Sequence, residues 1–145
     1  IKILDLKNEK ARKILNGNDL TLIASGYATK AAKNAIEEFN IENNNFSIEL
    51  IDLRIISPID YDSIFESISK TRRYIVIDGG WKTCGIGSEI ISSVIENFHP
   101  NHFLSAPINI SLSECPAPCS KVLEQNYYFS EKRILKAIKN ILLIN

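Results

Sequence analysis

The residues best placed to do chemistry in this 145-residue chain sit in one glycine-rich stretch, Asp78-Gly79-Gly80-Trp81-Lys82-Thr83-Cys84-Gly85-Ile86-Gly87. Its glycines lower the steric cost of close backbone approach, and a helix start follows, a combination that suits an anion. The competing reading is plainer and is preferred: glycines at a strand-to-helix junction also simply make the turn, and Trp81 is suited to packing against a neighbouring domain. Arg54 presents the same choice between a carboxylate or phosphate contact and a structural ion pair beside its own strand.

The remaining chemical signals point mostly to exclusions. Ser25-Gly26-Tyr27-Ala28-Thr29 offers one glycine where a dinucleotide fingerprint needs three, so a nicotinamide or flavin site is disfavoured. No Gly-x-x-x-x-Gly-Lys-[Ser/Thr] motif occurs, and Gly85-Ile86-Gly87-Ser88 lacks nucleophile-elbow spacing. His99 and His102 flank Pro100-Asn101 without helical zinc spacing and are expected in a solvated loop. Cys115 and Cys119 stand four apart across two prolines, a spacing open to metal or disulfide, and are expected to be buried or inert thiols in a reducing compartment. No catalytic, cofactor-binding or metal-binding residue is therefore expected.

Along the chain, apolar periodicity alternates between strand and helix patterns. Leu20 to Ala24 reads as a strand ending at Ser25-Gly26. Ala28, Ala31, Ala32, Ala35, Ile36 and Phe39 form one helical stripe, closed by the polar run Asn40 to Asn45. Phe46, Ile48 and Leu50 alternate with Ser47 and Glu49, which predicts a half-exposed strand up to Ser57-Pro58. Asp60 should cap a helix carrying Ile64, Phe65 and Ile68. Tyr74 to Ile77 is apolar throughout and is expected to be central. After the glycine stretch a helix should turn Ile90, Ile91, Val94, Ile95 and Phe98 inward and stop at His99-Pro100. Ile108, Ile110 and Leu112 form a further strand, Glu114 to Pro118 an extended loop, and Ser120 and Ser130 cap the last two helices, the final one burying Ile134, Leu135, Ala137, Ile138, Ile141 and Leu142.

Repeated strand-then-helix units at this spacing require parallel strands joined by crossover helices, so the class is α/β with the sheet covered on both faces. Asn16-Gly17, a tight-turn signal, precedes the first main strand and predicts a hairpin with residues 11–15 as an antiparallel edge. Residues 1–10 are unassigned, and 11–145 form one domain.

Composition narrows the partners. Seventeen Lys+Arg balance seventeen Asp+Glu, which removes the electrostatic footprint of a nucleic-acid binder. No apolar run approaches the roughly 20 residues of a membrane span, and no signal-peptide pattern opens the chain. The expected location is the cytoplasm, or an organelle matrix in a eukaryote. The triplets Asn45-Phe46-Ser47 and Asn109-Ile110-Ser111 have no meaning without secretion. The chain contains no Met and reads as a fragment.

Leu53-Arg54-Ile55-Ile56-Ser57-Pro58-Ile59-Asp60, then Lys70 to Trp81, then Gly85-Ile86-Gly87-Ser88-Glu89-Ile90, resembles the C-terminal domain of the transketolase superfamily. Ala106-Pro107 and Glu114-Cys115-Pro116-Ala117-Pro118 with Leu123-Glu124 are most similar to the beta subunit of thiamine-diphosphate-dependent 2-oxo acid dehydrogenases, pyruvate dehydrogenase in particular. The resemblance covers about residues 11–143. It implies a three-layer domain with a five-stranded, mostly parallel sheet and one antiparallel edge strand. It also implies that thiamine diphosphate and magnesium belong to the complete enzyme and are not bound by this domain alone. Its partners would be an alpha subunit, a second beta subunit and the dihydrolipoyl acyltransferase core.

Gly79, Gly80, Trp81, Gly85, Ile86, Gly87, Ser105, Glu114 and Pro116 are candidate interface residues, and of the rim's apolar loop residues Trp81, Ile86 and the Pro116 to Pro118 segment are expected to be exposed before assembly. Ser105 stands where core-docking relatives carry an acidic residue, and Gly79 where many relatives have one. Two alternatives remain: a subunit or domain of a transketolase-like thiamine-diphosphate enzyme acting on sugar phosphates, and a stand-alone anion-binding module.

Overall fold

The computed structural model describes residues 9–143. Glu9 and Lys10 form no regular element; residues 1–8 and 144–145 of the expected segments lie outside the described residues. The elements run β1 (Arg12–Leu15), β2 (Leu20–Ala24), α1 (Tyr27–Glu42), β3 (Ile48–Asp52), α2 (Tyr61–Thr71), β4 (Tyr74–Trp81), α3 (Ile86–Asn97), β5 (Ile108–Leu112), α4 (Lys121–Tyr127) and α5 (Glu131–Ile141), with a 3₁₀ turn over Pro100–His102. They build one five-stranded sheet in the order β1-β3-β2-β4-β5, parallel except for β1.

Strand alternation divides the core in two. Leu20, Leu22, Leu50, Ile75, Ile77 and Ile110 face one way, beneath the stripes of α1 and α5. Ile23, Tyr74 and Val76 face the other way and pack on Ile64 and Ile68 of α2 and Ile90 and Val94 of α3. Each fully buried aliphatic side chain contributes on the order of 1.5–3 kcal/mol, so both helical layers are held by their apolar stripes. Local signals set the ends: Asp60 accepts the Ser63 amide and Ser130 the Arg133 amide. Ser120 stands at the start of α4 but makes no side-chain capping bond.

Four expectations are corrected. Residues 16–19 do not close a hairpin, because β1 pairs with β3 and not with β2. The Asn16-Gly17 turn instead carries the chain past the start of β3, where the Asn18 and Asp19 amides donate to the Ser47 carbonyl. A Cβ on Gly17 would lie 2.3 Å from the Ile48 carbonyl carbon, so only glycine permits this crossing.

Nor is β3 half exposed. It lies between β1 and β2, and Glu49 is wholly buried, its carboxylate 2.6 Å from Lys70 Nζ on α2. Burial pushes the Glu49 carboxyl up, but Lys70, Ser67 and the Gly17 amide outweigh it and hold the group below its ordinary value. Beside it, Thr21 Oγ1 lies 2.7 Å from both the Ser67 and the Thr71 hydroxyls. The polar faces of α2 and the sheet thus pair with one another, except that Glu49 Oε1 has no hydrogen-bond partner.

The strand begun at Tyr74 is internal, with β2 in the middle, and it runs on to Trp81, so the glycine stretch is half strand. Finally, Ile95 turns outward and is about half exposed. It lies past the α3 face that packs on the sheet.

Candidate functional site

Because β2, β3, β4 and β5 are parallel, their carboxyl ends share one edge, the usual ligand edge of an open α/β sheet. Ser25 to Tyr27, Arg54, Lys82 to Gly87 and Glu114 to Pro116 follow those strand ends, and Gly79 to Trp81 close β4, so all lie along it. Ser105 precedes β5 and belongs to the opposite, amino edge. The sheet therefore brings eight of the nine candidate interface residues to one rim and leaves Ser105 apart.

The centre of the rim is closed by its own carboxylate. Asp78 is buried; its Oδ1 accepts the Gly80 amide and its Oδ2 the Gly87 amide, each at 2.9 Å. The Asp78 side chain thus occupies the start of α3, the position in which an external anion would sit. Gly85 is tight for the same reason, since a Cβ there would lie 2.0 Å from the Trp81 carbonyl and 2.7 Å from Asp78 Oδ2. A Cβ on Gly87 would meet Asn109 Oδ1 at 2.5 Å. Both glycines serve close packing inside the chain.

Around this closed centre the rim sets exposed aromatic and apolar side chains among charged ones, Lys82, Glu114, Lys121 and Glu124. Trp81 is 48% exposed, and its Nε1 donates to the Tyr127 hydroxyl, which in turn donates to the Cys115 carbonyl. Tyr127 packs edge-on to Tyr128, and Tyr27, 70% exposed, leans on Phe129. A shallow groove of about 540 Å³ opens between Tyr27, Tyr128 and Phe129, with Lys121 and Glu124 at its side. The helix α4 buries no residue, and Val122 and Leu123 are largely exposed. Ile86 and Gly85 are half-buried, while Gly79, Glu114 and Pro116 are exposed. Glu114 accepts both the amide and the hydroxyl of Thr83.

Arg54 holds a left-handed backbone (φ 62°), and its guanidinium lies 3.7 Å from Glu9 and 3.9 Å from Asp52. Asp52 also accepts the Thr29 hydroxyl. The two partly buried carboxylates compensate the half-exposed arginine in loose pairs, the structural ion pair beside its own strand.

The two histidines divide. His99 is exposed and caps its own turn through Asn101. His102 is not in a solvated loop: its Nε2 lies 3.1 Å from the Ile68 carbonyl and its ring stacks on Phe98 at 4.7 Å. Among the described residues no group of three or more His, Cys, Asp or Glu is arranged to hold a metal ion. At the amino edge, Ser105 is half-buried beside an apolar groove of about 420 Å³ formed by Ile95, Phe103, Leu104 and Pro107.

Tyr27, Tyr127 and Tyr128 are rim residues that the spacing of motifs did not single out. The available signal was position: Tyr27 directly follows the β2 end, and the other two lie between the helix-starting Ser120 and Ser130.

The sequence pattern described as "Transketolase, C-terminal domain" matches residues 9–134. The chain belongs to that family. Among curated relatives, the pyruvate dehydrogenase E1 component subunit beta of Rickettsia felis is 33% identical over 133 residues, covering 91% of this chain and 40% of that protein. The mitochondrial subunit of the same name from Rattus norvegicus is 33% identical over 138 residues, covering 92% of this chain and 36% of its own length. The transketolase C-terminal domain described here thus spans about 40% of the curated relatives it matches. Among solved structures, a split-gene transketolase described as an inactive beta4 tetramer superposes with a TM-score of 0.75 at 18% identity, over 93% of this chain and 42% of that one. That likeness establishes the fold.

Proposed function

We propose that this domain assembles a thiamine-diphosphate enzyme and does not carry its reaction: it is the C-terminal domain of the beta subunit of a 2-oxo acid dehydrogenase, with pyruvate as the substrate its relatives' names favour. The complete enzyme would oxidatively decarboxylate the 2-oxo acid and pass the acyl group to lipoyl-lysine. The observation that carries this reading is the rim. Where an α/β enzyme usually gathers polar groups around a ligand, this edge presents Tyr27, Trp81, Val122, Leu123 and Tyr128 to solvent, the composition of a protein interface.

The residues at this edge do not fit thiamine diphosphate and its magnesium. Such a group needs oxygen ligands for the metal and donors for the diphosphate, but both Asp78 oxygens are engaged by the chain's own amides. The cofactor is therefore assigned to parts of the enzyme outside this domain. An alpha subunit and a second beta subunit are the partners proposed for the rim, which comprises Gly79, Gly80, Trp81, Gly85, Ile86, Gly87, Glu114 and Pro116. The acyltransferase core is the weakest-supported partner: Ser105, on the amino edge beside an apolar groove, stands where core-docking relatives carry an acidic residue. The proposed location is the cytoplasm or an organelle matrix; no described helix is long and apolar enough to cross a membrane. The anion-module alternative loses its seat to Asp78, and the sugar-phosphate alternative has the fold alone in its favour.

Sedimentation with the partner subunits tests the reading. Trp81→Ala should weaken association at least tenfold, about 1.4 kcal/mol, with little change in the unfolding midpoint, because the ring is half exposed. Unchanged association, or tight thiamine diphosphate binding by this domain in calorimetry, would overturn it.

A further inference from the structure

We propose that Cys84 and Cys115 are an oxidisable pair that closes into a disulfide across the ends of β4 and β5. Both cysteines lie on the rim assigned above to subunit contact, so the inference applies to the chain before that rim is covered and does not require the assembly reading to hold. Unpaired cysteine is among the most buried residue types, yet all three thiols of this chain are exposed and open to small oxidants.

Two of them follow the ends of neighbouring strands, β4 and β5. Trp81 and Leu112 are opposite one another in the parallel pair of β4 and β5, and Cys84 and Cys115 each follow three residues later. The residues just before them are already clasped, because the Thr83 amide and hydroxyl both donate to the Glu114 carboxylate. A second tie runs from Trp81 Nε1 through the Tyr127 hydroxyl to the Cys115 carbonyl itself.

Cys84 also sits in an unusual backbone. The Gly85 amide donates to the Lys82 carbonyl, which makes Cys84 the third residue of a tight turn, at φ 57°. Glycine or asparagine is the ordinary occupant of that position, and a cysteine there stores roughly 1 kcal/mol of strain at the loop tip.

Cys119 is a poor partner for Cys115. Pro116 and Pro118 fix their own backbones and hold the residues before them extended, so four steps at roughly 3.1 Å separate the two Cα atoms by about 12 Å, against a disulfide limit near 7 Å.

With a peroxide as oxidant the chemistry balances. One thiolate sulfur attacks a peroxide oxygen, the O–O bond breaks, and a sulfenic acid forms as one water leaves. The second thiol then attacks that sulfur, the S–S bond forms and the hydroxyl departs as a second water; two thiols have lost two electrons and two hydrogens, and one hydrogen peroxide has become two waters. In a reducing compartment thiol exchange reopens the bond.

The test is peptide mapping of the full chain, reduced, exposed to hydrogen peroxide and then alkylated. The expected result is the loss of two hydrogens and one cross-linked peptide pair joining Cys84 to Cys115, retained in Cys119→Ser and absent from Cys84→Ser and Cys115→Ser. Because the unaltered protein is mapped directly, poor folding of a variant does not confuse the outcome. A cross-link through Cys119, links only between molecules, or three thiols oxidised separately with no cross-link would each overturn the proposal.

Discussion

Replacing Asp78 by alanine should destabilise the domain by about 2–4 kcal/mol. The figure follows from what the carboxylate touches. Gly87 is buried, and its amide donates to Asp78 Oδ2 at 2.9 Å; without an acceptor, a buried N–H costs about 1–3 kcal/mol. The half-buried Gly80 amide can turn to water and adds about 0.5 kcal/mol. The carboxylate also faces the positive end of α3, worth about 0.3–1 kcal/mol and more when partly buried. Asp78→Asn keeps one acceptor oxygen and loses the charge, so it should cost about 1–2 kcal/mol. The measurement is urea unfolding of both variants, read as shifts of the midpoint at constant slope. Inorganic phosphate should not raise the midpoint of the unaltered protein, because the start of α3 is already filled. An alanine variant within 0.5 kcal/mol of the parent, or strong stabilisation of the parent by phosphate, would refute the account of the rim's centre.

Lys70→Met leaves Glu49 buried without its cation. Since burial raises the Glu49 pKa and Lys70 is the leading counterweight, the carboxyl pKa should rise; the stability that the parent holds at neutral pH and loses as pH falls through the lowered value should then already be missing near pH 7, and the gap between variant and parent should close as Glu49 takes up its proton on acidification. Urea midpoints of both proteins across about pH 3–7 check the direction, and a gap that widens on acidification would contradict it. Gly17→Ala should cost more than about 2 kcal/mol, as its Cβ would overlap the β3 backbone at 2.3 Å, and amide exchange should quicken first in β1. Arg54→Gly should raise the unfolding midpoint slightly, because relief of the left-handed residue, roughly 1 kcal/mol, exceeds the loss of two exposed ion pairs. If the same change also weakens assembly, Arg54 is held in strain for a contact.

Much of the fold was legible because its signals are local. The stripe of α1, the Asp60 and Ser130 caps and the apolar run of β4 are all set within a few residues of sequence. The misread features depend on distant partners. Asn16-Gly17 has hairpin chemistry, but whether the following strand returns beside β1 is decided by how Gly17 lies against Ile48 and Glu49, some thirty positions away. Glu49 alternates with apolar neighbours as a solvent-facing residue would; only Lys70, on another element, explains why it is inside. The rim was partly visible, through glycine and tryptophan at a strand end, while its aromatic extension through Tyr27, Tyr127 and Tyr128 required three separate strand and helix ends to meet.

The same distinction bears on function. A glycine-rich strand-to-helix junction has two physical uses, admitting a ligand or admitting the chain's own side chains, and sequence spacing does not separate them. The geometry does: Gly85 and Gly87 make room for the Trp81 carbonyl, the Asp78 carboxylate and the Asn109 amide, all internal groups. Space used in this way makes the end of the sheet rigid and locally closed to small ligands. A rigid edge that still exposes Trp81 and Tyr27 loses little conformational entropy when another protein surface covers it, which favours association over small-molecule capture. If the proposed assembly role holds, the Asp78 variants should lose association in step with their loss of stability, well before any ligand could be accommodated.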